Sequence, residues 1–184
     1  MRTLIILGLF ILFLISVQFA SAQTVDEVID KYIAARGGKE KLNAIKSIYM
    51  EGSREMMGNE ITVKITKEQG KLSRTEFETG NRNSFVLITG KGGWNYFPMR
   101  MEAPKEMDSL VLAASELEMD IAGPLIDYVA KGHKAELEGK ENVEGIACYK
   151  IKLTTKAGKQ ITYWIQASNY LLLQSTAMGG MMMG

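Results

Sequence analysis

The chain has 184 residues, 22 basic and 21 acidic side chains, one cysteine and one histidine. Arg2 is the only charged residue of the first 22, so the remainder is neutral overall, without the basic excess of a nucleic-acid binder. A lone Cys148 excludes an internal disulfide, and with a lone His133 it excludes a zinc site of the usual nitrogen and sulfur type.

Residues 1–22 read as a secretory signal. Arg2 supplies the positive start, Leu4 to Val17 is an uncharged apolar run, and Ala20-Ser21-Ala22 is a small-residue cleavage site. The run is shorter than the ~20 residues a membrane-spanning helix needs. The expectation is cleavage after Ala22 and export, to the periplasm in a bacterial setting. Residues 23–178 are then long enough for one domain with its own core.

Thr24 opens an amphipathic helix. Val25, Val28, Ile29, Tyr32, Ile33 and Arg36 share one face at helical spacing, with Asp26, Glu27, Asp30 and Lys31 on the other. Thr24 and Glu27 have the spacing of a capping box, and Gly37-Gly38 stops the helix. A second short helix follows over 39–46, with Leu42 and Ile45 inward.

Short alternating strands come next. Ser47 to Arg54 is the first. Ile61, Val63 and Ile65 then alternate with Thr62, Lys64 and Thr66, the period of a strand buried on one side. Leu72 to Glu78, Phe85 to Thr89 and Trp94 to Phe97 complete a meander punctuated by glycine turns. The span 105–132 reads as a helical insertion. Asp108 caps a segment carrying Leu110, Val111 and Ala114. Gly123-Pro124 breaks it, and a further helix carries Leu125, Ile126 and Val129 inward. A second meander has Tyr149, Ile151 and Leu153 on one face of a strand with Cys148, Lys150 and Lys152 opposite, then Ile161, Tyr163 and Ile165, then a last strand from Tyr170 to Met178. Strands in sequence joined by tight turns predict an α+β domain: one antiparallel, strongly twisted sheet with helices on one face.

Several segments together carry a family resemblance: the export signal, Tyr32-Ile33-Ala34-Ala35-Arg36-Gly37-Gly38, the run Gly132 to Glu141, the run Gly145 to Leu153, and Tyr163-Trp164-Ile165. The chain resembles the outer-membrane lipoprotein-sorting (LolA/LolB-like) superfamily over roughly Thr24 to Ser175, in particular its divergent periplasmic members from Bacteroidetes-type bacteria. The resemblance implies an unclosed β-barrel, a strongly curved half-barrel with helices covering its concave face, that shelters acyl chains. None of the family's lipoprotein-handling residues is carried over to positions here. Members of this type continue with further strands, whereas this sequence ends in a Met/Gly run over 179–184. It reads either as a fragment truncated at its C-terminus or as a sheet with an open edge.

No constellation fixes a reaction. Any Ser-His-Asp or Cys-His device would have to use His133, so the expectation is a protein that is not an enzyme and needs no cofactor. It is read as a monomeric carrier of lipid or lipoprotein acyl chains, with envelope membrane proteins as further partners. The alternative is a structural or interaction module of the envelope without ligand. The candidate cavity wall or lid is Tyr32, Ile33, Trp94, Phe97, Leu125, Ile126 and Val129. Complete filling of the concave face by Tyr32, Ile33, Leu125, Ile126 and Val129 would favour the alternative.

Overall fold

A computed structural model describes residues 23–56 and 58–178. Residues 1–22, where a secretory signal is read, Met57 and residues 179–184 lie outside the described residues.

Helix α1 (Val25–Ala35) begins at the capping box: the Glu27 N–H donates to Thr24 Oγ1 and the Thr24 N–H to the Glu27 carboxylate. It ends where Gly37 and Gly38 take φ of 107° and 93°, beyond the range of side-chain-bearing residues. Helix α2 (Lys39–Ala44) follows at once and buries Leu42. Strands β1 (Ser47–Met56), β2 (Asn59–Glu68), β3 (Leu72–Thr79), β4 (Arg82–Thr89), β5 (Gly92–Tyr96) and β6 (Lys105–Glu106) form a six-stranded antiparallel meander. After α3 (Ser109–Ser115) and a 3-10 turn (Glu116–Met119) the chain makes β7 (Lys134–Val143), β8 (Ile146–Thr154), β9 (Gln160–Gln166) and β10 (Leu172–Met178), a second antiparallel sheet ordered β10-β9-β8-β7. The architecture is an α+β half-barrel, unclosed, with helices over its concave face.

Two features differ from the sequence expectation. The strands form two sheets rather than one, because residues 107–133 interrupt the meander and β6 is only two residues long. The insertion also holds one α-helix, not two. Beyond Gly123 the backbone runs as turns, and Asp127 sits at φ 53°, which no α-helix accommodates.

The packed core lies under the second sheet. Val28, Ile29 and Tyr32 of α1, with Leu125, press on Tyr149, Ile151, Leu153, Tyr163 and Ile165. Ile151, Leu153 and Ile165 retain 0% exposure. Each such side chain contributes on the order of 2 kcal/mol from burial. Ile126, Ala122 and Leu42 make a smaller cluster beside it, with Ile33 reaching both.

Candidate functional site

The two sheets treat their inner faces differently, and that difference defines the site. The cross-strand register of the first sheet places Met50, Ile65, Thr75, Val86 and Asn95 in one row and Val63, Phe77 and Ser84 in the next. This is the face that α3 and the 3-10 turn overlie: a Cβ on Gly93, in the same face, would meet Met107 Sδ at 2.7 Å and Leu112 Cδ1 at 3.0 Å. The cover is complete towards the β2–β3 turn. There Ile88, Ser73 and Met119 are buried, the Gly70 N–H donates to the Met119 carbonyl at 3.0 Å, and Lys67 pairs with Glu118 at 3.2 Å. Towards the β1–β2 and β3–β4 turns Ile61 is still buried at 4%, while the rows between the two ends are less covered. Val63, Ile65, Phe77 and Val86 are half-buried, and Met50 is 45% exposed. The loop after β5 overhangs this end, and with the strands it encloses a cleft of about 610 Å³ between Ile61, Thr79, Arg82, Ser84, Pro98 and Met99.

The covering helix is loosely held. Asp108 caps α3 through the Leu110 N–H at 2.8 Å, yet no residue of α3 is buried and Leu110 is 80% exposed. The segment 120–132 is held far more firmly. Arg36 donates to Tyr32 Oη and to the Ala122 carbonyl, both at 3.1 Å. Lys131 pairs with Asp120 at 2.6 Å, Tyr128 donates to Asp26 at 2.7 Å, and Lys39 pairs with Asp127. The Asp26 contact raises the Tyr128 phenol to a pKa of about 12. Gly123-Pro124 is pinned: the Gly123 N–H donates to Asp120 Oδ1 at 3.2 Å.

The sequence-derived wall residues therefore divide. Tyr32, Leu125 and Ile126 are core, at 6%, 2% and 1% exposure. Ile33 and Leu125 border a shallower groove of about 420 Å³ between α1 and residues 127–130. Val129, expected inward on a second helix, is 69% exposed, since the helix that would have turned it inward does not form. Trp94 pairs across the sheet with Leu87 and Glu106, on the face opposite Val86 and Asn95, and so stands outside the concave side. Phe97, one residue past β5, is half-buried beside the loop to Pro98. The structure does not gather these residues into one wall. Reading each strand alone missed the half-covered row on the first sheet. The alternation of Ile61, Val63 and Ile65 was the signal, but it looks the same for a packed face and an open one.

The reactive groups lie elsewhere. His133 is buried: its Nδ1 accepts the Lys156 N–H at 3.1 Å, and burial, with Lys131 nearby, holds its pKa below the usual value. Cys148 is wholly buried, and burial pushes its thiol up. Among the described residues no group of three His, Cys, Asp or Glu side chains is placed to hold a metal ion, and no helix is long and apolar enough to cross a membrane.

Fold and site together define an open half-barrel with a half-covered apolar trough. Searches with family models and among curated proteins match nothing. Solved structures do match. A DUF1329 family protein from Desulfovibrio piger is 17% identical, with 85% of this chain and 74% of that one covered and a TM-score of 0.50. A LolA superfamily protein from Nitrosomonas europaea is 13% identical over 85% of this chain and 72% of that one, with a TM-score of 0.47. LprF from Mycobacterium bovis is 10% identical over 87% and 90%, with a TM-score of 0.33. The likeness to the Desulfovibrio protein is one of fold.

Proposed function

We propose that the chain is an exported, periplasmic carrier that shelters acyl chains of a lipid or lipoprotein on the inner face of its first sheet, and that it is not an enzyme. One observation carries the reading: two sheets of one domain have apolar inner faces, yet only the second is filled. Its Ile151, Leu153 and Ile165 are sealed by α1, while Val63, Ile65, Phe77 and Val86 of the first stay half-open beneath a helix with no buried residue. An uncovered apolar row costs stability unless something apolar occupies it. Each methylene buried there would contribute ~0.8 kcal/mol, so a few carbons give useful affinity without a polar catalyst. The sequence resemblance to the lipoprotein-sorting superfamily supports the same reading. α3 with its flanks serves as the cover that admits the chain.

Native mass spectrometry of the protein purified from the exported fraction tests this. The expected result is an acyl-lipid adduct whose removal lowers the melting temperature. A mass and a melting temperature both indifferent to delipidation would leave the ligand-free envelope module as the reading, consistent with the filled second sheet.

A further inference from the structure

The groove of about 420 Å³ between α1 and residues 127–130 carries a negative charge that the fold leaves unbalanced. Its floor is aliphatic, from Ile29, Ile33 and Leu125, and exposed Val129 forms one lip. Asp26, Asp30 and Asp127 line it against a single cation, Lys39. Lys39 pairs with Asp127 and closes the groove at the α2 end. Asp26 accepts from the Tyr128 phenol, a neutral donor, so its charge is hydrogen-bonded without being cancelled. The exposed Asp30 carboxylate has no hydrogen bond or ion pair among the described residues. The flanking cations are engaged elsewhere. Lys31 donates to Tyr170 Oη at 3.3 Å, Arg36 to Tyr32 Oη and the Ala122 carbonyl, and Lys131 pairs with Asp120. The helix dipole accounts for Asp26 in the first turn of α1. Asp30 lies one turn further on, where two like charges four residues apart oppose the helix.

We infer that this groove docks a segment of a partner protein that carries lysine or arginine beside an aliphatic side chain. The stem of such a residue lies on an aliphatic floor while its charged head stays at the wet rim, where Asp26 and Asp30 stand. A cation placed there meets both carboxylates and relieves their mutual repulsion. The same carboxylates repel an anionic lipid surface, which separates a protein segment from a membrane as the occupant. The groove is also formed in advance, because Arg36, Tyr128 and Lys39 fasten residues 122–128 to the two N-terminal helices, so docking orders little. The inference concerns a surface separate from the inner face of the first sheet, and it stands whether or not that face holds acyl chains.

The test uses the immobilised full chain and a random short-peptide library displayed on phage. The selected peptides are expected to be rich in lysine and arginine next to leucine, isoleucine, valine or phenylalanine. The most enriched peptide, made synthetically, is then titrated by fluorescence anisotropy at low and high salt. Its affinity is expected to fall about fivefold when its basic residues are replaced by glutamine, and by a similar factor in Asp26→Asn combined with Asp30→Asn. High salt and Val129→Asn should each weaken it as well. Glu55→Gln combined with Glu60→Gln, on the first sheet, should leave it unchanged. Asp30 and Val129 are exposed, and asparagine at position 26 keeps an acceptor for Tyr128, so the groove variants should melt with the parent, which is measured alongside. Failure to enrich any peptide, peptides without a basic bias, or binding that survives the combined Asp26, Asp30 and Val129 replacements overturns the inference. Equal weakening in the Glu55 and Glu60 variant also overturns it, since the attraction would then be to net charge alone. Flotation with phosphatidylglycerol vesicles that Val129→Asn abolishes overturns it in favour of a membrane surface.

Discussion

Single side chains decide where the molecule is rigid. Arg36 looks misplaced on the apolar stripe of α1 until its two donors are followed to Tyr32 Oη and the Ala122 carbonyl. It is the clamp that fastens segment 120–132 to the first helix. Leu153→Ala, at a fully buried position, is expected to cost about 2–5 kcal/mol in denaturant unfolding. The Tyr128 phenol makes a pH prediction. Its pKa is about 12 in the fold against 10.0 for the free side chain, so the unfolded chain releases that proton first as pH rises. Stability from the Asp26 contact is therefore complete below pH 10 and lost towards pH 12. Tyr128→Phe should flatten part of the alkaline decline seen by circular dichroism; Tyr163, raised by its burial, accounts for a further part. A decline of unchanged steepness in Tyr128→Phe would mean that the phenol contributes nothing.

At the scale of elements, the contrast is between α1, which is fixed, and α3, which is loosely held. α1 starts at a two-way capping box and ends at two glycines. Gly38 has φ 93° and ψ 154°, a conformation open almost only to glycine. Gly38→Ala is expected to cost about 1–3 kcal/mol, although open space surrounds the missing Cβ, because the penalty lies in the backbone. A thermal melt indistinguishable from the parent would contradict this. Gly93 is the opposite case, with an ordinary backbone and crowding against Met107 and Leu112. Gly93→Val should lift the flank of α3 without unfolding the second-sheet core. Limited proteolysis would read faster cleavage within 105–119 with little change in melting temperature; unchanged cleavage would show that α3 does not rest on this strand. The helix over 124–131 failed to form because backbone and side-chain partners at Asp120, Arg36, Asp26 and Lys39 hold that segment as a chain of turns. Helical periodicity in Leu125, Ile126 and Val129 is too short to outweigh those long-range contacts.

For the whole molecule, one half is a packed core and the other a half-covered apolar face. A ligand that binds only the folded state adds about 2.7 kcal/mol at a hundredfold excess over its dissociation constant. On the proposed carrier reading, a saturating oleoyl lysolipid should therefore raise the melting temperature of the parent. Val63→Asp, which puts a carboxylate at a half-buried inner-face position, should abolish that increment while leaving the second sheet intact. An increment preserved in Val63→Asp would place the ligand elsewhere, the groove beside Ile33 and Leu125 being the next site to probe.

Local order along the chain was legible without coordinates. Thr24, Glu27, Gly37 and Gly38 state where the first helix begins and ends, and the alternation in Ile61-Thr62-Val63-Lys64-Ile65 states which residues share a face. Those signals live in hydrogen bonds and side-chain directions only a few residues apart. Tertiary structure alone decided which apolar face would be filled. Tyr32, Leu125 and Ile126 became core and Val129 surface, while Val63, Phe77 and Val86 were left half-buried. The reason is that an apolar strand has the same pattern whether a helix or a ligand covers it, and the cover comes from residues far away in the chain.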